Sequence, residues 1–204
     1  AGTQPIAVEG DARPANACVV YDAAGRRAAR YDKIHLFDVD LPGGREGYRE
    51  SANARPGAKT VLVDTPAGRL GLTVCYDLRF PHLYRALAKA GADFLAIPSS
   101  FTRPTGAAHW HVLMRARAIE NGCFVFAAAQ AVEHEVGRET YGHSLIVSPW
   151  GEILAEADGD NPGVIVTDIE VSQVQEARGR VPSLQHDRPF QIIHASAMRA
   201  KEAS

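Results

Sequence analysis

The chain of 204 residues is 46% hydrophobic and 23% charged, carries a formal net charge of −2, and fits one globular domain with a sizeable core. Near-balanced charge without a local Lys/Arg run leaves no electrostatic footprint for nucleic acid or an anionic membrane. No apolar stretch reaches membrane-spanning length, no charged start precedes an apolar signal segment, and the expected partner is a small molecule. Cys18, Cys75 and Cys123 are odd in number and far apart, which argues against a disulfide framework and for a reducing, cytosolic setting.

In chain order, Ala17 to Tyr21 and Ala28 to Tyr31 flank the turn Asp22-Ala23-Ala24-Gly25 and read as a hairpin that leads to Lys33. Between Asp38 and Pro56 lies a polar stretch long enough for a compact domain to keep it for a working role such as a lid. Thr60 to Asp64 and Arg69 to Val74 bracket Thr65-Pro66-Ala67-Gly68 as a second hairpin, whose second strand delivers Cys75. After Pro81 helical spacing places Leu83, Ala86, Leu87 and Ala90 on one face, with Gly91 as the stop. Phe94 to Pro98 reads as a buried strand, Ala107 to Asn121 as a longer helix closed by Gly122, and Cys123 to Ala129 as another buried strand. Strands are expected near 144–147, 153–155 and 164–166, then a short helix over Val171 to Arg178. Apolar runs alternating with helices indicate an α/β layer architecture.

Cys75 closes the apolar run Leu70 to Val74 and opens the polar turn Tyr76-Asp77-Leu78-Arg79-Phe80-Pro81. A thiol on a strand-to-helix turn stands clear of the sheet, and the backbone N–H groups behind it can gather a developing oxyanion, so the position suits a nucleophile. A buried cysteine ending a core strand is the plainer alternative, and it is the reading for Cys18 and Cys123, which sit inside apolar runs.

Tyr31-Asp32-Lys33-Ile34-His35-Leu36-Phe37, Glu50-Ser51, Pro56-Gly57, Thr65 to Gly68, Gly71 to Pro81, His109-Trp110, Arg115 to Glu120, Tyr141 to Ser144 and Pro149-Trp150-Gly151 together resemble the nitrilase, or carbon–nitrogen hydrolase, superfamily. The resemblance runs from about residue 16 to about residue 190 and is nearest to the Nit branch, whose members hydrolyse the terminal amide of small carboxylates such as deaminated glutathione or 2-oxoglutaramate. It implies an α-β-β-α four-layer sandwich, N-terminally incomplete, with one hydrolase domain over residues 1–190 and a helical or disordered tail over 191–204. Implied too are a homodimer or larger assembly and chemistry without a metal or organic cofactor.

The family's catalytic set is a Glu–Lys–Cys triad. Resemblance assigns Cys75 as nucleophile, Lys33 and the backbone N–H of Tyr76 as holders of the oxyanion, and Glu50 as the second carboxylate, with Glu46 its competitor in the same loop. A lysine beside a thiol at a helix start favours thiolate. The first glutamate of the triad is expected ahead of this chain: Glu9 lies in surroundings that do not match its motif, and the chain opens at Ala1 rather than Met. A non-catalytic remnant that binds or assembles is therefore the rival reading, and a cysteine hydrolase with a histidine base is a third. Arg79 is a candidate to hold a substrate carboxylate in bidentate fashion, against a structural salt bridge with Asp77. Phe101 and Thr105 match pocket positions of the Nit branch. His109 and His111 lack the further ligands that zinc wants, since His134 and His143 fall in separate contexts. Arg115, Arg117 and Glu120 are expected to knit their helix to its neighbours, and Gly142 and Ser144 to be structural.

Overall fold

Two turns set the first sheet. In the computed structural model, which describes residues 2–40, 47–131 and 139–195, β1 (Thr3–Val8) reverses into β2 (Asp11–Tyr21) at Gly10, whose φ of 78° needs a glycine. At the next turn the Asp22 carboxylate accepts the N–H groups of Ala24 and Arg26, both at 2.9 Å, and returns the chain into β3 (Arg27–Asp32). The order is β1-β2-β3, all antiparallel. β1 is an addition to the sequence reading. It contains Pro5 and buries no side chain fully, as suits an edge strand.

The polar stretch beyond β3 is tied down by a two-stranded ribbon, β4 (Asp38–Val39) against β5 (Tyr48–Arg49), and a 3₁₀ turn over Glu50–Ala52. Glu46 lies outside the described residues, so the comparison with Glu50 rests on the latter alone.

A mixed six-stranded sheet follows in the order β11-β10-β9-β8-β7-β6. β6 (Val61–Thr65) and β7 (Gly68–Leu72) form the expected hairpin, while β7, β8 (Phe94–Ala96) and β9 (Phe124–Ala127) run parallel. Parallel neighbours require crossovers, and α1 (Pro81–Lys89) and α2 (Arg103–Asn121) supply them. Proline in the first turn of each helix and Gly122 at φ 55° after α2 mark the boundaries. β10 (Leu145–Val147) and β11 (Ile153–Glu156) complete the sheet, and α3 (Ser172–Arg180) follows.

Leu83, Tyr84 and Leu87 of α1 and Trp110, Met114 and Ala118 of α2 pack on Leu95, Ile97, Val125 and Leu145 of the sheet. The buried face of α1 differs from the expected one: Ala86 and Ala90 are exposed, while Tyr84 and Ala88 are buried. Tyr84 can be buried because its hydroxyl meets Thr73 Oγ1 at 2.9 Å, which satisfies the polar tip of the ring. On the other face of the sheet, Leu72, Val74 and Val63 meet Cys18 and Tyr31 of the first sheet, and Phe94 and Phe124 meet Val174 of α3. The result is a mixed α/β stack of helix, sheet and sheet.

The strand expected near 164–166 is absent. No strand partners it among the described residues, and Val164 and Val166 are 89% and 83% exposed. Of the expected tail, Ile192 and Ile193 are exposed and residues 196–204 lie outside the described residues.

α2 starts at Arg103, earlier than expected, and Gly106 permits its close approach to Tyr141. A Cβ there would stand 2.2 Å from Tyr141 Cβ, which is anchored to the backbone. Gly106→Ala should therefore destabilise the protein by about 1–3 kcal/mol in urea unfolding, the clash outweighing the roughly 1 kcal/mol that alanine gains in a helix interior.

Candidate active site

β7 ends at Leu72, and a 3₁₀ helix runs over Cys75–Arg79 before α1 begins. Cys75 takes φ 49°, a left-handed conformation that only one other described non-glycine residue, His143, adopts. Strain of this kind persists where the surroundings over-determine it, and it turns the side chain out of the strand direction.

Asp77 does much of the fixing. It is fully buried; Oδ2 accepts the Val74 N–H at 2.8 Å and the Tyr31 hydroxyl at 2.7 Å, and Oδ1 accepts the His35 N–H at 3.1 Å and meets His35 Nδ1 at 2.7 Å. One carboxylate thereby joins the cysteine turn to the segment on either side of Lys33. The His35 ring in turn stacks on Phe80 at 3.6 Å. Burial, with the Asp77 charge second, pushes the Tyr31 phenol far above its ordinary range, so it acts as a donor throughout.

Lys33 follows β3 directly and is 3% exposed. Its N–H donates to Asn16 O at 2.9 Å, and its carbonyl accepts the Gly57 N–H at 2.8 Å. Gly57 is required there, because a Cβ would lie 2.1 Å from Asp32 O. The Lys33 ammonium is hydrogen-bonded to Glu50 Oε2, which also accepts the Phe37 N–H at 2.6 Å, while Asn16 Nδ2 donates to Glu50 Oε1 at 3.0 Å. Burial alone would raise the Glu50 carboxyl, but the Lys33 charge and these hydrogen bonds hold it below the usual range.

A cleft of about 730 Å³ opens over these groups. Lys33, Glu50, Cys75, Tyr76, Phe101 and Thr105 all line it, so six of the seven expected site residues share one wall system. The cleft lies beyond the carboxyl ends of the parallel strands: Cys75 follows β7, Pro98 to Thr102 follow β8, and Ala128 to Gln130 follow β9. Ligand sites of α/β sheets form at such ends. Asn16, Phe37, Tyr48 and Ser144 also line the cleft. The sequence reading missed Asn16 as a site residue; its side chain can be credited only once its contact with Glu50 is seen.

Arg79 is placed differently. It is not among the lining residues, and it does not pair with Asp77, whose oxygens are taken by Val74, Tyr31 and His35. Its guanidinium lies 5.4 Å from the Phe101 ring centre and 3.3 Å from His109 Nδ1. Arg117 donates to the Leu78 carbonyl and to Glu120, and Arg115 to the Gly151 carbonyl, the knitting role expected of them. Cys18 and Cys123 are core thiols that burial raises, Cys123 to about 11. No described histidine lines the cleft, which removes support from a histidine base, His134 lying outside the described residues. The expectation that His111 and His143 sit apart is corrected: the fold brings both onto Glu156.

Over residues 4–179 the chain matches the carbon-nitrogen hydrolase family, and it belongs to that family. Within it, the likeness is to the Nit branch: the C. elegans NitFhit protein superposes with a TM-score of 0.81 at 42% identity, covering 92% of this chain and 45% of that one. Deaminated glutathione amidase of Yersinia enterocolitica is 44% identical over 186 residues, which are 91% of this chain and 65% of the relative. The chain thus spans a little under two thirds of that relative's length. A variant of the amidase from Nesterenkonia sp. AN1, with acrylamide added at its active site cysteine, superposes with a TM-score of 0.69 at 28% identity, covering 88% of this chain and 66% of that one.

Because Lys33 is buried, removal of its carboxylate partner leaves an uncompensated charge, and Glu50→Gln should lower stability by about 3 kcal/mol in denaturant unfolding. The folded Glu50 carboxyl lies below its ordinary value of 4.5, so the pair stabilises the protein fully above that pH and loses its contribution as pH falls below it. The acid limb of a stability–pH curve should accordingly be shallower in Glu50→Gln than in the wild type.

Proposed function

We propose that the cleft is the site of a cysteine-dependent amidase that cleaves a carbon–nitrogen bond in a small carboxylate amide. The observation that supports this most directly is the meeting of Cys75, Lys33 and Glu50, from three separate segments, on one cleft. In the proposed reaction the Cys75 sulfur bonds to the amide carbonyl carbon, and the negative charge that develops on oxygen is held by the Lys33 ammonium and the Tyr76 N–H. The proton given up by the Cys75 thiol passes to the amide nitrogen, collapse breaks the C–N bond, ammonia leaves, and a thioester remains. Water then adds to the thioester carbonyl and the C–S bond breaks, which restores the thiol and yields the acid. Glu50 and Asn16 fix the ammonium through the hydrogen bonds described above, so Lys33 meets the oxyanion without reorganising.

Phe101 and Thr105 form the wall against which the rest of the substrate lies, with the Arg79 cation behind Phe101 favouring a substrate carboxylate on that side. Deaminated glutathione is the first candidate and 2-oxoglutaramate the second. In keeping with the Nit branch, the reading includes a cytosolic enzyme that works as a homodimer or larger assembly.

One observation favours the non-catalytic alternative: Glu50 is the sole carboxylate among the described residues lining the cleft, and it is already engaged with Lys33, Asn16 and Phe37. An ammonia-release assay with both substrates separates the two readings. Turnover that Cys75→Ala abolishes supports the amidase; substrate binding by calorimetry without ammonia release supports the binding protein. Iodoacetamide should alkylate Cys75 ahead of Cys18 and Cys123, since burial makes the latter two poorly accessible and raises their pKa values. Peptide mapping that finds Cys75 the slowest of the three would remove it as the nucleophile.

A further inference from the structure

Outside the cleft, three segments bring metal-ligand atoms together. His111 is in the middle of α2, His143 lies two residues before β10, and Glu156 ends β11. His111 Nε2 is 2.7 Å and His143 Nδ1 is 2.9 Å from the same oxygen, Glu156 Oε1, and the three ligand atoms lie within 4.8 Å of one another. We propose that His111, His143 and Glu156 form a transition-metal site, taking zinc in preference to magnesium or calcium and leaving at least one position for water.

The chemistry of the donors selects the ion. Two imidazole nitrogens and one carboxylate suit zinc, whereas magnesium and calcium call for oxygen ligands. With metal–ligand bonds near 2.0–2.1 Å, a tetrahedral site needs donor atoms about 3.3 Å apart. The two contacts to Glu156 Oε1 therefore have to lengthen by only about half an ångström, while the two imidazole nitrogens, within 4.8 Å of each other, settle at the same spacing around the ion.

The surroundings fix the donors in advance. The His143 ring lies between Tyr141, 4.3 Å away centre to centre, and Gly159, where a Cβ would stand 2.5 Å from His143 Nε2. Only a residue without a side chain leaves room for that ring. The His143 carbonyl accepts the Trp110 indole N–H at 2.8 Å, which ties the φ 56° backbone of His143 to α2 one residue before His111. The three side chains are about 30% exposed, open enough for an ion to enter. Bound zinc would staple α2 to the β10–β11 edge.

Calorimetry and thermal unfolding with zinc chloride test this on the wild-type protein and on Cys75→Ala, which removes the cleft thiol as a competing ligand. One zinc per chain is expected, with a rise in Tm of roughly 5–10 °C at about 100 times Kd. The rise should persist in Cys75→Ala, be lost in both His111→Gln and His143→Gln, and be absent with magnesium. Cobalt(II) added to the wild-type protein gives a readout independent of variant folding: tetrahedral d–d bands without a thiolate charge-transfer band are expected. No zinc binding, binding that survives both histidine substitutions, binding lost in Cys75→Ala, or a cobalt–thiolate band would each overturn the proposal.

Discussion

The buried Asp77 carboxylate is the contact on which the arrangement of the site depends. It stands at the junction of two sheets that do not share a hydrogen-bonded strand, and it accepts hydrogen bonds from groups on both sides of that junction. A buried carboxylate with donors on both oxygens is strongly directional, because each unmade bond would leave a desolvated polar group. The segment that carries Lys33 and the turn that carries Cys75 are thereby held to one relative position. The apolar cluster of Cys18, Tyr31, Val63, Leu72 and Val74 brings the same two sheets together without fixing their offset so sharply.

Charge is handled at the cleft by enclosure rather than by number. The chain is nearly neutral, yet Lys33 is almost fully buried with its partner supplied by a residue 17 positions later. Enclosure of this kind raises the effective strength of the ammonium toward a neighbouring negative charge, since little water competes with it. The rim of the molecule shows the opposite regime in pairs such as Arg69–Asp64 and Arg49–Asp40, which are exposed and contribute little to stability.

Most of the elements were legible from periodicity and turn chemistry: Gly25, Pro81 and Gly122 stop or start their elements as their backbone preferences dictate. Other features were not legible, each for a physical reason. β1 carries no apolar alternation because an edge strand with a proline does not need it. The 164–166 run has the composition of a strand, but a strand exists only against a partner, and pairing is a non-local property. The approach of His111 to His143 depends on how α2 crosses the β10 edge, which no spacing along the chain encodes. The segments that bring Cys75, Lys33 and Glu50 to one cleft were readable as motif pieces, whereas the engagement of Asp77 with Tyr31 and His35 instead of Arg79 required the packing of the two sheets.

The parallel register of β7, β8 and β9 has a consequence for how such a protein can diversify. Every segment that forms the cleft beyond these strands begins where a strand leaves the core, so replacing or lengthening one of them alters what the molecule accepts without disturbing the interior on which its persistence depends. Selection can explore new reagents at the rim while the foundation stays as it is, and the parts exempt from that freedom are the few whose side chains reach across from the opposite sheet.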